Sequence, residues 1–365
     1  MNTRAGNRGL PWAFTLVELL LSTAIIGLLM LVLLAMTDQT SLTWRRTTAK
    51  IEQFQQARSG FESMTRKLSQ ATLNTYYDYF DASGNSLKTS VGTGFVPKTY
   101  GRQSELRFIS GPMKSFALSG NLPTHGVFFQ APLGFVDDGA NAAMDNLLNT
   151  WGYFVEVGGD EGSLPTFLNG RVPARWRSRL VELMQPAERM SVYSLKGNET
   201  GAAARAWFAD AFKANPRPTR VLAENIVALV VLPRLARTEE LARTAAGKQP
   251  LAPQYAYDST KTNSDPEINP KNQLPPVVQV TMVAIDETSA SQLAQRFPNS
   301  ATLGLGMSSL FLSSAKLEDD AGTAAPGDGD LAELEKQLVG LRAAYRVFTT
   351  NVTIRGAKWS KSQKN

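Results

Sequence analysis

The chain begins with a short polar segment and then changes abruptly to a long apolar run. Residues 14–36 read FTLVELLLSTAIIGLLMLVLLAM, and Glu18 is their only ionisable side chain. A helix of these 23 residues would be roughly 35 Å long, enough to cross the hydrocarbon core of a bilayer. The pattern therefore predicts a transmembrane helix over 14–36, preceded by a leader over 1–13.

A second helical pattern follows the apolar run. Apolar residues recur at steps of three and four, namely Ile51, Phe54, Ala57, Phe61, Met64, Leu68 and Ala71. This spacing predicts an amphipathic helix over 37–75 that continues the first one. No proline lies between Trp12 and Pro97, and one helix through both segments would be roughly 90 Å long. The alternative is a separate core helix after a break near 37–39.

From residue 76 to residue 365 the pattern changes to strands, short helices and turns. Runs rich in β-branched and aromatic residues predict strands at 105–110, 126–131, 152–157, 179–184, 225–232, 277–285 and 346–354. Helical spacing predicts short helices at 202–213, 290–297 and 331–344. The predicted fold class is α+β, with an antiparallel sheet packed against the long N-terminal helix.

Two turn-rich stretches interrupt this domain. Residues 248–276 contain several prolines among polar residues and predict a long exposed loop. Residues 318–330 carry the carboxylates of Asp319, Asp320, Asp328 and Asp330, and carboxylate oxygens are ligands that Ca²⁺ prefers. The segment lacks the ligand spacing of an EF-hand, so we interpret it as a solvated linker and keep calcium binding as the alternative.

Composition restricts the chemistry of the chain. Without cysteine and with one histidine, His125, it has no disulfide, no thiolate site and no multi-histidine metal site. His125 precedes an apolar run, which predicts a structural role at a loop or strand end. Phosphate loops and nucleophile elbows are absent. We interpret the carboxylate groups Glu156, Asp160 and Glu161, and the pair Asp286 and Glu287, as surface and turn residues. Neither an enzyme nor a cofactor is predicted.

The distribution of basic residues bears on orientation and on partners. Arg4 and Arg8 precede the apolar run and no acidic residue lies between them, so the positive-inside rule predicts a cytoplasmic N-terminus. The net charge is +6 and the pI is near 9.4. Two basic runs surround tryptophans and could contact nucleic acid: Arg171, Arg175, Arg177 and Arg179 around Trp176, and Arg355, Lys358, Lys361 and Lys364 around Trp359. We interpret both as solvated surface, so a nucleic-acid partner is not predicted.

The start of the apolar run resembles the signal of type IV prepilins. The stretch Ala13-Phe14-Thr15-Leu16-Val17-Glu18 is similar to the G-FTLVE sequence of that family, with Ala13 in place of the usual Gly. The resemblance implies that prepilin peptidase cleaves between Ala13 and Phe14 and methylates the new amino terminus at Phe14. It also implies that Glu18 pairs with the terminal amine of a neighbouring subunit, since opposite charges attract strongly in apolar surroundings. The Ala13 departure puts the rate of processing in doubt.

Several phrases in the body of the chain resemble a narrower family. Residues 61–71, 222–227, 274–280 and 345–348 are similar to the Verru_Chthon cassette protein C family, prepilin-like proteins encoded in multi-gene cassettes of Verrucomicrobia. The first and third of these phrases also show a distant similarity to the J-type minor pseudopilin of type II secretion. Both resemblances imply a pilin-like fold.

The resemblance implies a structural role. We expect a minor pilin- or pseudopilin-like subunit of a type IV pilus or a type II secretion-like filament. Its partners would be the prepilin peptidase and methyltransferase, other pilin-like subunits and the inner membrane. The chain would cross that membrane once, with residues 76–365 in the periplasm or in a filament at the cell surface. The alternative is a membrane-anchored extracytoplasmic binding or adhesion domain, which would not need Glu18 for assembly.

Overall fold

The chain forms two compact units, residues 1–52 and 53–365. The computed structural model describes residues 15–88, 90, 94–141, 144, 146–160, 167, 171, 174–195, 199, 201–317 and 329–361. Within residues 42–53 the backbone is described, together with the side chain of Trp44.

Helix α1 runs over Leu16–Leu68. It is helical through 37–39, so the prediction of a continuous helix is confirmed, although the helix ends seven residues before 75. Its end tightens because Gln70 N–H and Ala71 N–H bond to carbonyls three residues earlier, each at 3.0 Å.

The remaining elements belong to the second unit and are dominated by antiparallel strands. The strands are β1 Tyr76–Phe80, β2 Thr99–Gln103, β3 Ile109–Pro112, β4 His125–Pro132, β5 Leu148–Gly158, β6 Arg177–Gln185, β7 Thr219–Glu224, β8 Ile226–Arg234, β9 Tyr257–Asp258, β10 Val277–Ile285 and β11 Tyr345–Thr353. The helices are α2 Ala206–Ala209, α3 Arg237–Ala245, α4 Glu287–Arg296 and α5 Asp330–Gly340.

These strands form three antiparallel sheets. The largest has the order β7-β6-β5-β4-β3-β9, the second β11-β10-β8, and β1 and β2 form a two-stranded ribbon. An N-terminal apolar helix followed by antiparallel sheets gives the α+β class, as predicted. Strand β10 has the predicted bounds, and five other predicted strands are found with ends shifted by one to four residues.

The prediction of a strand over 105–110 is wrong for its first half, because β3 begins at Ile109. The backbone N–H groups of residues 106–108 bond to side chains instead of a strand. Their acceptors are Asn74 Oδ1, Gln130 Oε1 and Ser259 Oγ, at 3.0, 2.7 and 2.9 Å. These side chains take the place of a neighbouring strand.

The predicted apolar stripe of α1 forms part of the core. Ala57, Phe61, Met64, Leu68 and Ala71 are all buried, and they pack in one cluster with residues of the six-stranded and three-stranded sheets. Phe54 is partly buried against the same cluster, whereas the side chain of Ile51 lies outside the described residues. Full burial of a side chain such as Leu, Met or Phe stabilises by about 1.5–3 kcal/mol. The C-terminal part of α1 is therefore a core helix of the second unit.

The prediction that residues 248–276 are exposed is wrong. Apolar side chains along this stretch are buried, among them Leu251, Ala252, Tyr255, Tyr257, Ile268 and Leu274. Arg243 organises the segment from α3: it donates to Asp265 at 2.6 Å, to Glu267 at 2.5 Å and to the Gln249 carbonyl at 3.0 Å. Turn-forming composition indicated the irregular backbone correctly, and residues 261–264 are exposed as predicted, but the apolar side chains of the loop pack into core clusters.

A buried carboxylate joins α1 to the six-stranded sheet. Glu182 on β6 is 0% exposed, and its Oε1 accepts hydrogen bonds from Lys67 Nζ and Tyr153 OH, each at 2.7 Å. Its Oε2 accepts from Arg220 at 2.6 Å. Lys67 Nζ also lies 3.9 Å from the centroid of the Trp151 ring. Burial and the charge of Glu182 raise the pKa of Tyr153 well above its usual value, so its hydroxyl remains a donor.

The single histidine bonds to the edge strand β8 of the three-stranded sheet. His125 is the first residue of β4 and 1% exposed. Its Nδ1 accepts from the Val231 N–H of edge strand β8 at 3.2 Å, so its Nε2 must carry the proton that is donated to the Phe311 carbonyl at 3.0 Å. Thr124 Oγ1 accepts from Leu229 N–H of the same strand at 3.3 Å. The predicted structural role at a strand end is confirmed.

Replacing Glu182 by Leu is expected to lower the free energy of unfolding by about 3 kcal/mol, because Lys67 loses its counter-charge in a mostly buried position. Adding Lys67→Met should recover part of this loss. The measurement is urea-induced unfolding of the full chain in phosphatidylcholine nanodiscs, followed by tryptophan fluorescence. Arg58→Ala, which removes an exposed ion pair with Glu62, is the control. An equal loss in Arg58→Ala and Glu182→Leu would contradict the role of the buried carboxylate.

The stability of the second unit is expected to fall as pH drops from 6.5 towards 4. Burial lowers the pKa of His125 from 6.5 to about 4, so over that range the unfolded chain binds a proton that the folded chain does not. Above pH 6.5 this contribution is fully present, and its loss amounts to roughly 3 kcal/mol. Unfolding measured against pH should show a shallower fall in His125→Gln, which has no titratable group there. Identical slopes in both proteins would refute the assignment.

Candidate functional site

The first unit contains one helix long and apolar enough to cross a membrane. Among the described residues, the candidate segment Leu16–Ser41 spans 26 residues; its most apolar 18-residue window has a mean hydropathy of 2.7, and no residue of that window is buried. Its apolar side chains face outward on all sides of the helix, a pattern that requires lipid or other helices as surroundings. A signal sequence near an N-terminus can meet the same criterion, but its apolar region is usually shorter, about 7–15 residues.

The hydroxyl groups of this segment are compatible with apolar surroundings. Their donors bond to carbonyls three or four residues earlier at 2.8–3.0 Å, in Ser22, Thr23, Thr37 and Thr40. Each hydroxyl proton is therefore satisfied within the helix and needs no water.

The carboxylate of Glu18 has a partner within its own chain. Its Oε2 accepts from the Thr15 backbone N–H at 3.0 Å and from Thr15 Oγ1 at 2.9 Å. The Thr15 hydroxyl oxygen in turn accepts from Glu18 N–H at 3.4 Å. This reciprocal arrangement is a capping box, which satisfies N–H groups at the start of a helix. The Thr-x-x-Glu spacing of a capping box is visible in the sequence, whereas the prepilin resemblance implies only a contact between subunits for Glu18.

The two other predicted site residues, Ala13 and Phe14, lie outside the described residues. The cleavage and methylation positions therefore stay predictions from the sequence. Thr15 is the first described residue and the second residue after the predicted cleavage point.

A tryptophan, a residue type enriched at membrane interfaces, follows the C-terminal end of the segment Leu16–Ser41. Trp44 is 74% exposed and is followed by Arg45 and Arg46. A tryptophan with basic neighbours is typical of the boundary between lipid and water. Residues 37–41 read Thr-Asp-Gln-Thr-Ser and are polar, so Trp44 lies about two helical turns beyond the end of the apolar run at residue 36.

The other carboxylate candidates have structural partners. Glu156 forms an ion pair with Arg217, and Glu287 binds Arg177 at 2.5 Å and Asn225 at 2.9 Å. Three further groups accept backbone N–H bonds at 2.8–2.9 Å, namely Asp160, Asp286 and Asp330. Asp319, Asp320, Asp328 and Glu161 lie outside the described residues. Within the described part of the chain, no group of three His, Asp or Glu side chains is arranged to hold a metal ion.

The two basic runs are divided between packed and surface positions. Trp176 packs against the cluster beneath α4 and α5. Trp359 is partly buried against the α1 cluster, and its Nε1 donates to the Glu267 carbonyl at 3.2 Å. Both tryptophans are therefore partly buried against core clusters of the second unit, and the interpretation of the two basic runs stays a prediction.

Comparisons with known proteins add no family. A scan against protein-family models and searches of curated proteins and of solved structures found no match to this chain. The similarity to type IV prepilins therefore stays a prediction from the residues around Phe14. The site consists of an apolar helix whose carboxylate caps its own first turn.

Proposed function

We propose that this chain is a minor pilin- or pseudopilin-like structural subunit of a type IV pilus or type II secretion-like filament. Prepilin peptidase would cleave before Phe14 and methylate the new terminus, and the apolar segment would then assemble with other pilin-like subunits. The observation that carries the proposal is Glu18, a carboxylate in the first turn of an otherwise apolar helix. The long α1, whose C-terminal part is a core helix of the second unit, supports it.

The capping box accounts for part of the placement of Glu18 but leaves its charge in place. Hydrogen bonds from Thr15 spread the negative charge without neutralising it. A carboxylate at the centre of a spanning helix costs about 2.5–3.5 kcal/mol on insertion scales, and less near an end. A cation on a neighbouring chain would offset that cost. The amino terminus created by cleavage before Phe14 is such a cation.

A membrane-anchored binding or adhesion domain is the second candidate, and one observation favours it. Because the Thr15–Glu18 capping box stabilises the helix start in a single chain, Glu18 is useful even without a neighbour. The two functions therefore differ in which property of Glu18 matters: its charge for assembly, or its hydrogen bonds for capping.

Variants separate these two properties. Glu18→Gln keeps a residue that completes a capping box but removes the charge, whereas Thr15→Ala removes the cap and keeps the charge. We expect Glu18→Gln to reduce cross-linking to other pilin-like subunits in native membranes at least about tenfold, equivalent to 1.4 kcal/mol. Thr15→Ala should assemble to near the original level, and both variants should remain in the membrane fraction.

The opposite pattern would favour the anchor. If Glu18→Gln cross-links as well as the unchanged chain, the carboxylate charge plays no part in assembly. A chain recovered only as a monomer under all cross-linking conditions would also exclude a filament subunit.

Orientation in the membrane needs a direct test, because Arg45, Arg46 and Lys50 follow the span while Arg4 and Arg8 precede it. The chain has no cysteine, so Ser83→Cys, at an exposed turn after β1, introduces a single reactive thiol. We expect a membrane-impermeant maleimide to label it in cells whose outer membrane alone is permeabilised. Labelling that requires rupture of the inner membrane would contradict a periplasmic second unit. The unchanged chain is the blank.

A further inference from the structure

A row of exposed tyrosines lies on the two-stranded ribbon, in a part of the second unit that the proposed function does not use. Tyr79 is directly opposite Tyr100, and Tyr77 is opposite Arg102, so these side chains share one face of the ribbon. The three tyrosines are 50–58% exposed. Their ring centroids are 5.5 Å apart for Tyr77 and Tyr100 and 4.9 Å apart for Tyr79 and Tyr100. They form a continuous aromatic surface, here named the tyrosine row.

A groove of about 430 Å³ begins at the Tyr77 end of this row. Its polar lining includes the hydroxyls of Thr72 and Thr75 and the cations Arg102 and Lys358. No carboxylate is among the described residues that line it. The groove is therefore positively charged and offers hydroxyl groups beside an aromatic surface.

Arg102 is held in place at the groove. One of its terminal nitrogens donates to Gln273 Oε1 at 3.2 Å and to the Lys358 carbonyl at 3.1 Å. A guanidinium carries five N–H donors, so these two bonds fix its position while leaving capacity for a ligand. A positioned guanidinium is well suited to a carboxylate, which it can bind through two parallel hydrogen bonds.

The combination defines the chemistry of a ligand. Exposed tyrosine rings accept flat apolar faces, and their phenol groups exchange hydrogen bonds with hydroxyls at the ring edge. Sugar rings present one C–H face and a rim of hydroxyls. The two cations at the groove favour a ligand that carries an acidic group as well as sugar rings.

Single-stranded nucleic acid fits this surface less well. Proteins that bind it stack successive bases on aromatic side chains along a positively charged groove that follows the phosphate backbone. Only two cations, Arg102 and Lys358, are among the described residues that line this groove, which is few for the phosphates of several nucleotides.

We propose that the tyrosine row and the adjoining groove bind an acidic polysaccharide. Its sugar rings lie on Tyr77, Tyr79 and Tyr100, and a carboxylate of the chain binds Arg102 and Lys358. This site includes no residue to which the proposed function assigns a role, because all its residues lie in the second unit outside α1.

The test measures binding of a galacturonate oligomer to the full chain in phosphatidylcholine nanodiscs, by isothermal titration calorimetry. The matched ligand is the methyl ester of the same oligomer, which keeps the sugar rings and removes the charge. We expect the acid to bind at least about tenfold more tightly than the ester, equivalent to 1.4 kcal/mol. Sugar-headed detergents are avoided because they would compete.

Substitutions assign the binding to the site. Tyr100→Ala should weaken binding about fivefold or more, whereas Tyr100→Phe, which keeps the ring, should remain within about twofold. Lys358→Gln should reduce the preference for the acid over the ester. Tyr193→Ala is the control, since Tyr193 is 53% exposed and lies beside Lys88 and Glu105 rather than on the tyrosine row. Thermal unfolding confirms that each variant is folded.

Three results with the unchanged chain would overturn the proposal. They are absence of binding at millimolar oligomer, equal affinity for acid and ester, and tighter binding of a thymidine oligonucleotide than of the galacturonate. Equal weakening by Tyr193→Ala and Tyr100→Ala in folded proteins would move the site away from the tyrosine row and overturn the proposal as well.

Discussion

The burial of one face of α1 is the constraint on which the second unit depends. The stripe from Ala57 to Ala71 packs in one cluster with residues of both larger sheets, so the helix contributes to a core that the two sheets share. Apolar contact alone is tolerant of small shifts along a helix. The Glu182 carboxylate restricts the position of α1 along its axis, because Lys67 must lie where it can bond to Glu182 beside the Trp151 ring. Hydrophobic burial therefore supplies the stability, and one buried ion pair specifies the register of the helix.

Glu182 and Glu18 are two carboxylates in apolar surroundings with different partners. Glu182 receives bonds from two cations and a phenol, so its charge is compensated inside the fold. Glu18 receives bonds only from Thr15 among the described residues, and these come from neutral groups. This difference is the physical reason for expecting a cation from outside the chain at Glu18, and it rests on electrostatics rather than on the resemblance alone.

Sequence periodicity predicted the elements whose partners are regular. The α1 stripe and β10 follow steps of three to four and of two, and both were located correctly. The ribbon strands were missed, although Tyr76–Phe80 is rich in aromatic residues, because Thr99–Gln103 has no strand-like pattern. The buried residues of 248–276 pack against core residues distant in the chain, and the non-strand start of 105–110 depends on Asn74, Gln130 and Ser259. Such contacts between distant residues leave no local signal. The Glu182 cluster could not be predicted for the same reason. Its members lie on four elements and are spread between residues 67 and 220 of the chain.

The central claim is that the chain is a processed, pilin-like subunit, and the mass of its mature N-terminal peptide tests this most directly. The protein is purified from native membranes, digested and analysed by mass spectrometry. The account predicts a first peptide that begins at Phe14 and carries one additional methyl group. A mature chain that begins at Met1, or one that begins well beyond residue 36, would contradict it.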